Sequence, residues 1–173
     1  MASYTPEPAN FWEWIEYSAL GASISESLWA FPTLETIHII ALVTLFGTIL
    51  VMDLRLLGAA STNVAITSLR KDVLPWIWGA FVLAAISASL MFVSNASSYV
   101  TNTFFLFKLG LLAVAGLNMI YFQFVALKTV SAWDASPILP RRVKVAALVS
   151  LILWIGVIFC GRAIGFTLQG FYT

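Results

Sequence analysis

Two residues able to do chemistry stand at the start of one long apolar segment. Glu35 and His38, the only histidine in the chain, lie within the stretch TLETIHIIALVTLFGTILVMDLRLLG, residues 33–58. A spacing of three residues places both side chains on one face of a helix, about 5–6 Å apart. A carboxylate and an imidazole so placed can act on the same ligand, so this pair is the first candidate site.

The composition indicates the environment in which these residues work. Of 173 residues, 61% are hydrophobic and 10% charged, and the mean hydropathy is +0.94. Such values are typical of a polytopic membrane protein. A helix crosses the hydrocarbon with about 20 apolar residues, and we predict four such helices near 33–57, 73–95, 103–127 and 143–165. The short connections favour an all-α, up-down four-helix bundle with no separate soluble domain.

Several classes of function are excluded by what the sequence lacks. A net charge of +1 argues against a nucleic-acid partner, and the single Cys160 excludes an intrachain disulfide. The sequence contains no CxxC pair, no Cys/His cluster, no glycine-rich phosphate loop and no Ser/His/Asp order. The motifs of soluble enzymes therefore do not apply to this chain.

The amino-terminal segment, residues 1–32, is predicted to lie at the membrane interface. Phe11, Trp12 and Ile15 follow helical spacing, while Glu13 and Glu16 lie off that stripe. The segment carries no Lys or Arg, the reverse of a signal-peptide start, so we expect it to be retained. Its tryptophans are typical of an aromatic belt that sets depth.

The positions of the basic residues predict the orientation. The second connection, NASSYVTNT, and the amino-terminal segment carry no basic residue. Basic residues instead cluster around the first and third connections, at Arg55, Arg70, Lys71, Lys128, Arg141, Arg142 and Lys144. Because basic loops stay in the cytoplasm, both termini are expected outside, in the periplasm for a bacterial inner membrane.

With this orientation, the position of each polar residue along its helix gives its depth below the membrane surface. His38 and Lys108 each lie about five residues from the outer end of their helices, roughly 7–8 Å below the boundary. Glu35 lies just above them, and Arg162 and Met91 approach the same leaflet on the other two helices. An ionisable group in a membrane costs about 2.5–3.5 kcal/mol, so these groups are expected to face the bundle interior and mark function.

Each of these residues also has a purely structural interpretation. Lys108 and Arg162 can extend along the helix to reach the membrane surface. Glu35 can be a first-turn acid that complements the helix dipole, with Thr33 as the cap. His38 can join two helices by a hydrogen bond, and the methionine can fill the core. These alternatives remain open from the sequence alone.

A second set of polar residues lies towards the inner side. Asp53 and Arg55 close the first long helix, and Asp53 can pair with a neighbouring Arg or Lys. His38 and Asp53 are about 22 Å apart along the helix axis, so the two positions are separate sites. Asn118 and Gln123 are predicted to form hydrogen bonds between helices.

Two of the predicted helices resemble a known superfamily. The stretches HIIALVTLFGTILVMDLRLLG and FFLFKLGLLAVAGLNMIYF are similar to the signature helices that join CopD-type copper-resistance membrane proteins and HemJ-type protoporphyrinogen oxidases. The matching positions are His38, Gly47 and Arg55 in the first stretch and Phe105 and Lys108 in the second. The chain also resembles a bacterial family of small four-helix membrane proteins of unknown function.

The resemblance implies a haem b site. His38 would be the axial ligand and Lys108 the second polar member, with Glu35 orienting the site and Arg162 pairing with a propionate. A single histidine excludes bis-histidine ligation within one chain. The haem would be five-coordinate, would take Lys108 or Met91 as its sixth ligand, or would be shared between protomers of a homo-oligomer.

The sequence departs from both branches of that superfamily. It lacks the later histidine and the Asn-Glu element of the HemJ type, so protoporphyrinogen oxidation is not implied. Copper passage would need several soft ligands in series, and the chain has only four methionines, Met1, Met52, Met91 and Met119. The leading hypothesis is a membrane haem b protein with an electron-transfer role and a quinone or periplasmic redox partner. The alternatives are an accessory subunit of a membrane complex and a metal-handling protein.

Overall fold

The computed structural model describes residues 7–134, 136 and 138–168, which form helices and no strand. Four of the helices are long and apolar enough to cross a membrane, which confirms the prediction of an all-α four-helix membrane bundle. In chain order the elements are α1 (Phe11–Glu16), α2 (Ala19–Ser25), α3 (Ala30–Leu57), α4 (Ile66–Val93), α5 (Ala96–Thr101), α6 (Thr103–Phe124), a 3₁₀ helix (Ala126–Ala132) and α7 (Arg141–Leu168).

The helix bounds differ from the predicted ones mainly at the start of α4. That helix begins at Ile66, although the apolar run was expected to begin near 73, because it includes the charged turn of Arg70, Lys71 and Asp72. Hydropathy measures the hydrocarbon-crossing length, whereas a helix continues past it as long as its backbone hydrogen bonds are made. The spanning helices α3, α4 and α7 are each 28 residues long for this reason.

The four spanning helices are not packed evenly. Helix α3 packs against α4 and α7, and α6 packs against α7, whereas α4 and α6 hardly contact each other. The α6–α7 contact is close at Gly156, where an added Cβ would lie 3.1 Å from Leu111 Cδ1. Among the described residues, the side of the bundle between α4 and α6 is therefore the least closely packed.

The amino-terminal segment docks on the bundle as a short helical hairpin, α1–α2, rather than as one helix. A carboxylate oxygen of Glu16 accepts hydrogen bonds from the backbone N–H and the hydroxyl of Ser97, at the start of α5. Gly21 is tightly enclosed, since a Cβ there would lie 2.9 Å from the carbonyl oxygen of Val93. The hairpin thus closes over the end of α4, and this end of the molecule is called the terminal end.

An aromatic cluster fills the space beneath the hairpin. The ring of Phe92 meets Trp12 edge-on at 6.0 Å and stacks on Phe105 at 5.7 Å. Tyr99 lies 5.4 Å from Phe105, ring centre to ring centre. Such pairs add stabilisation beyond the area they bury, and here they join α1, α4, α5 and α6.

The opposite end, called the basic end, contains the connections 58–65 and 125–140. The first turn of α4 has no cap from its own N-cap residue, Ala65. Instead Asp134, from the connection 125–140, accepts hydrogen bonds from the Thr67 N–H at 2.8 Å and the Thr67 hydroxyl at 2.6 Å. Its carbonyl oxygen accepts a further bond from the Ile66 N–H at 3.2 Å. A residue distant in sequence therefore caps α4.

Arg55 is the most deeply buried charged residue at this end, with 0% of its surface exposed. Its Nε donates to the carbonyl oxygen of Val64 at 2.8 Å, and Nη2 points to the carbonyl oxygen of Asp134 at 3.5 Å. The guanidinium thus ties the two connections together. The same end contains a core of buried side chains formed by Met52, Leu56, Ile66, Trp133, Leu139, Val143 and Ala147.

Replacing Asp134 with Ala should lower the free energy of unfolding by about 1 kcal/mol, because it removes the cap of α4. The two hydrogen bonds from Thr67 hold the pKa of the Asp134 carboxyl below its ordinary value of 3.8. The contribution of the cap is therefore complete above pH 3.8 and is lost as the pH falls through the lowered folded-state pKa. Titration with SDS from a mild detergent, followed by tryptophan fluorescence, measures both effects.

The matched control is Asp72→Ala, an exposed acid on α4 that makes no hydrogen bond with the residues the structure describes. Its effect on the free energy of unfolding should be smaller and should not follow the same pH dependence. Equal losses in the two variants would show that Asp134 acts only through its charge and does not cap α4.

Candidate functional site

His38 lies on α3 in the half of the bundle nearer the terminal end and faces α4. Only 8% of its surface is exposed. The facing stripe of α4 is formed by three small buried residues, Ala80, Ala84 and Ser87. Small residues at spacings of four and three let two membrane helices approach closely, and this close approach buries the imidazole.

The contacts of His38 favour a proton on one of its two ring nitrogens, Nδ1. Nδ1 lies 3.1 Å from the carbonyl oxygen of Ala84 and 3.0 Å from the Ser87 hydroxyl oxygen. A carbonyl oxygen can only accept, so a proton on Nδ1 satisfies this contact and leaves the lone pair of a neutral ring on Nε2. Nε2 forms no hydrogen bond within the part of the chain that the structure describes. A ring held in this way resembles metal-ligating histidines, whose second nitrogen donates to a carbonyl.

Lys108 lies on α6 and reaches across to α7. A Cβ added to Gly161 of α7 would lie 3.8 Å from the Lys108 Nζ, and Lys108 also interacts electrostatically with Cys160. The charge of Lys108 acts on the His38 imidazole as well. The structure thus brings His38 and Lys108 into one layer, with the lysine directed into the bundle and not along α6 to the membrane surface.

The three other predicted site residues lie at the margin of this layer. Glu35 is exposed, and its charge, together with burial as the larger cause, raises the pKa of the nearby Tyr99 phenol. Arg162 is exposed on α7, with its guanidinium carbon 5.2 Å from the ring centre of Phe166. Met91 is half-buried, one turn beyond the serine that contacts His38. Of the five, only His38 and Lys108 interact with each other, through the charge of the lysine.

The prediction that Thr33 caps the first long helix is wrong. Helix α3 begins at Ala30, whose N–H donates to the Ser27 hydroxyl oxygen at 3.2 Å. Glu35 is therefore past the first turn of the helix. Apolar and aromatic residues before Thr33 extend the helix towards the amino terminus, and no polar residue at the N-cap position marks that earlier start.

A second polar feature lies towards the basic end, where the sequence indicated that Asp53 can pair with a neighbouring Arg or Lys. Asp53 has only 6% of its surface exposed, and its Oδ2 atom has no hydrogen-bond partner among the described residues. Arg55 turns away from it towards Val64. The predicted pairing of Asp53 with a basic residue is thus not formed there. The burial of Asp53 could have been inferred from its position, because it lies on the same face of α3 as the buried Leu45 and Leu56.

Asn118 acts as the sequence predicts. Its side-chain N–H donates to the carbonyl oxygen of Ala146 at 3.0 Å, which joins α6 to α7. Gln123, one to two turns further on, lines a cavity that also borders Asp53. Nothing in the hydropathy pattern predicts this cavity.

The donor atoms present favour one kind of metal chemistry over another. Within residues 7–134, 136 and 138–168, no three His, Cys, Asp or Glu side chains come together to hold a metal ion. A bare copper or zinc ion needs several protein ligands. A haem brings four nitrogens with its porphyrin and needs only an axial ligand, which one oriented histidine can supply.

Comparison with protein families gives one match. Residues 11–167 match a family described as a family of unknown function (DUF6644). The chain belongs to this family. Comparison with curated proteins and with solved structures finds no match. The match begins at the first residue of α1 and ends one residue before the last of α7, so the unit shared by DUF6644 proteins includes the α1–α2 hairpin as well as the four spanning helices.

The proton of His38 should reside on Nδ1 in protein purified from haem-deficient cells, because that nitrogen faces the Ala84 carbonyl oxygen. Since the chain has one histidine, ¹⁵N-histidine labelling gives a single imidazole to observe by NMR, provided that the affinity tag contains no histidine. The Ser87→Ala variant is the control. It keeps the carbonyl acceptor and should show the same tautomer. A proton on Nε2 would contradict the geometry.

Proposed function

We propose that this DUF6644 protein is an integral membrane haem b protein with a redox or electron-transfer role, in which His38 is the axial ligand. The observation that carries the proposal is the orientation of His38. Its Nδ1 is held by the Ala84 carbonyl and the Ser87 hydroxyl, and its Nε2 has no hydrogen bond among the described residues. The resemblance of the first and third spanning helices to the CopD and HemJ superfamily supports the same assignment.

Each nearby residue has a role that follows from its position. The Ala84 carbonyl and the Ser87 hydroxyl fix the plane of the ring and increase the basicity of Nε2. The Lys108 ammonium places a positive charge in the same layer, and a cation near the iron favours the ferrous form. The bound haem would supply one-electron chemistry. The surrounding spanning helices exclude water and keep the local dielectric constant low.

Glu35, Arg162 and Met91 have weaker roles in this proposal. Glu35 would act on the rim of the site, next to Tyr99. Arg162 would have to leave the ring of Phe166 to pair with a propionate. The haem would be five-coordinate, would take Lys108 or Met91 as its sixth ligand, or would be shared between protomers. The electron partner would be a membrane quinone or a periplasmic redox protein.

The alternative function is that of an accessory subunit without a cofactor. One observation favours it: the hydrogen bonds of His38 already join α3 to α4, so a purely structural role would account for the histidine. An unligated histidine of this kind predicts a colourless protein from haem-sufficient cells. A haem protein shows a Soret band and α-band that change on reduction, so colour separates the two functions.

Replacing His38 with Ala should abolish bound haem while the protein still inserts, because the apolar helices do not depend on the imidazole.

Lys108→Met should retain haem but lower the midpoint potential, since it keeps the apolar stem and removes the cation. Absorption spectra and redox titration of protein purified from haem-supplemented cells measure both effects.

The control for Lys108 is Lys144→Met, which removes a lysine near the start of α7, at the basic end. It should leave the spectrum and the potential unchanged. Free imidazole should restore haem to the His38→Ala variant if ligation, and not folding, was lost. Full haem retention in His38→Ala would disprove the assignment of the ligand. An unchanged spectrum and midpoint potential in Lys108→Met would show that the lysine is not part of the site.

We also propose that the basic end faces the cytoplasm of a bacterial inner membrane, with both termini in the periplasm. The support is the concentration of Lys and Arg in the connections of that end. In a Cys160→Ala background, a cysteine replacing Ser98 should react with an impermeant thiol reagent added to intact spheroplasts. A cysteine replacing Ser136 should react only after lysis. The reverse pattern would invert the topology.

A further inference from the structure

A cavity of about 430 Å³ lies between the four spanning helices, in the half of the bundle nearer the basic end. It occupies the side on which α4 and α6 hardly contact each other. Its wall on α3 runs from Leu45 to Leu56, and its lining is almost entirely apolar. Sites for small organic ligands are typically apolar cavities of about this size with a few polar groups.

The buried carboxyl group of Asp53 borders this cavity. The Oδ2 atom has no hydrogen-bond partner among the described residues, although only 6% of the surface of Asp53 is exposed. The hydroxyl of Ser150, on α7, is the polar group that interacts with the carboxyl. An unpaired polar atom in a low-dielectric region is costly. A ligand with a hydrogen-bond donor would remove that cost.

Other polar groups in the cavity restrict the charge of such a ligand. Arg70 and Gln123 also line the wall. Within the described part of the chain, Arg70 forms no ion pair with Asp53, whose Oδ2 is unpartnered. A cationic ligand would meet the positive charge of Arg70. A neutral molecule with one donor and one acceptor would satisfy the acid on one side and the amide or guanidinium on the other.

The walls also restrict the shape of the ligand. Four aromatic side chains line the cavity, Trp78, Phe81, Phe122 and Trp154. Aromatic side chains favour stacking or edge-on contact with a second ring. Trp78 and Phe81 are partly exposed on the side of the bundle between α4 and α6, which in a membrane is the side facing lipid. A ring can thus lie inside while an attached apolar chain passes between α4 and α6 into the bilayer.

We propose that this cavity binds a lipid-soluble hydroquinone, with one ring hydroxyl donating to the carboxyl group of Asp53. The other ring oxygen would accept from Gln123 or Arg70, and the apolar tail would leave through the α4–α6 opening. The site is separate from the His38 layer, about 22 Å away along α3. It does not depend on the binding of haem and adds a second site to the proposed function.

The binding of decyl-benzohydroquinone can be measured by quenching of tryptophan fluorescence in the full-length protein, in nanodiscs without oxygen. The hydroquinone should bind about tenfold more tightly than its dimethyl ether, because the ether cannot donate to Asp53. The measurement is repeated in His38→Ala. Equal hydroquinone affinity in the His38→Ala variant would show that this site does not depend on haem binding.

Two pairs of variants test the contacts. Asp53→Asn replaces an acceptor with a donor of the same shape, so it should lose about tenfold in hydroquinone affinity and prefer the oxidised quinone. The control is Asp72→Asn, on the exposed face of α4. Gly116 lines the cavity and has open space around it, so Gly116→Phe should block binding. Gly110→Phe, at an equally open glycine that does not line the cavity, should not.

Three results would overturn the proposal. The first is equal affinity for the hydroquinone and its dimethyl ether. The second is unchanged binding in Gly116→Phe, which decides the matter even if Asp53→Asn does not accumulate. The third is tight binding of the lipophilic cation tetraphenylphosphonium that is lost in Asp53→Asn, which would assign the acid to a cationic ligand.

Discussion

The constraint that governs this protein is the absence of water around its spanning helices. In hydrocarbon every polar group must find its partner within the protein, and most of those described do. Asn118 donates to a carbonyl of α7, and the hydroxyls of Ser87 and Ser89 donate to carbonyls within their own helix. Against that background His38, Asp53 and Arg55 stand out, because each keeps a side-chain nitrogen or oxygen atom that the described part of the protein does not satisfy, Nε2, Oδ2 and Nη1 respectively.

The two ends of the bundle satisfy the constraint in different ways. At the terminal end, the hairpin covers the helix ends, and the carboxylate of Glu16 accepts the hydrogen bonds of Ser97 at the start of α5. At the basic end, Arg55 and Asp134 join two connections and cap α4. Both arrangements use a side chain distant in sequence.

The uneven packing of the four spanning helices connects the two candidate sites. Small residues on α4 bring it against α3 and bury His38 between them. The same approach leaves α4 apart from α6, which creates the cavity beside Asp53. A polar site in a membrane helix is costly and is retained when it serves a function. A redox group at His38 and a lipid-soluble reductant at Asp53 would give the two polar sites one common redox function.

The sequence alone determined the class of the protein, since hydropathy and helix length respond to the bilayer and need no partner residue. It also predicted that His38 and Lys108 share a layer, because depth along a helix follows from residue number at 1.5 Å per residue. It could not predict that Asp134 caps α4, that α3 begins before Thr33, or that Asp53 is unpaired. These depend on which helix lies beside which, and on the rotation of each about its own axis. Only the tertiary structure decides that, because lipid-facing and buried residues of these helices are almost equally apolar and leave no periodic signal to distinguish them.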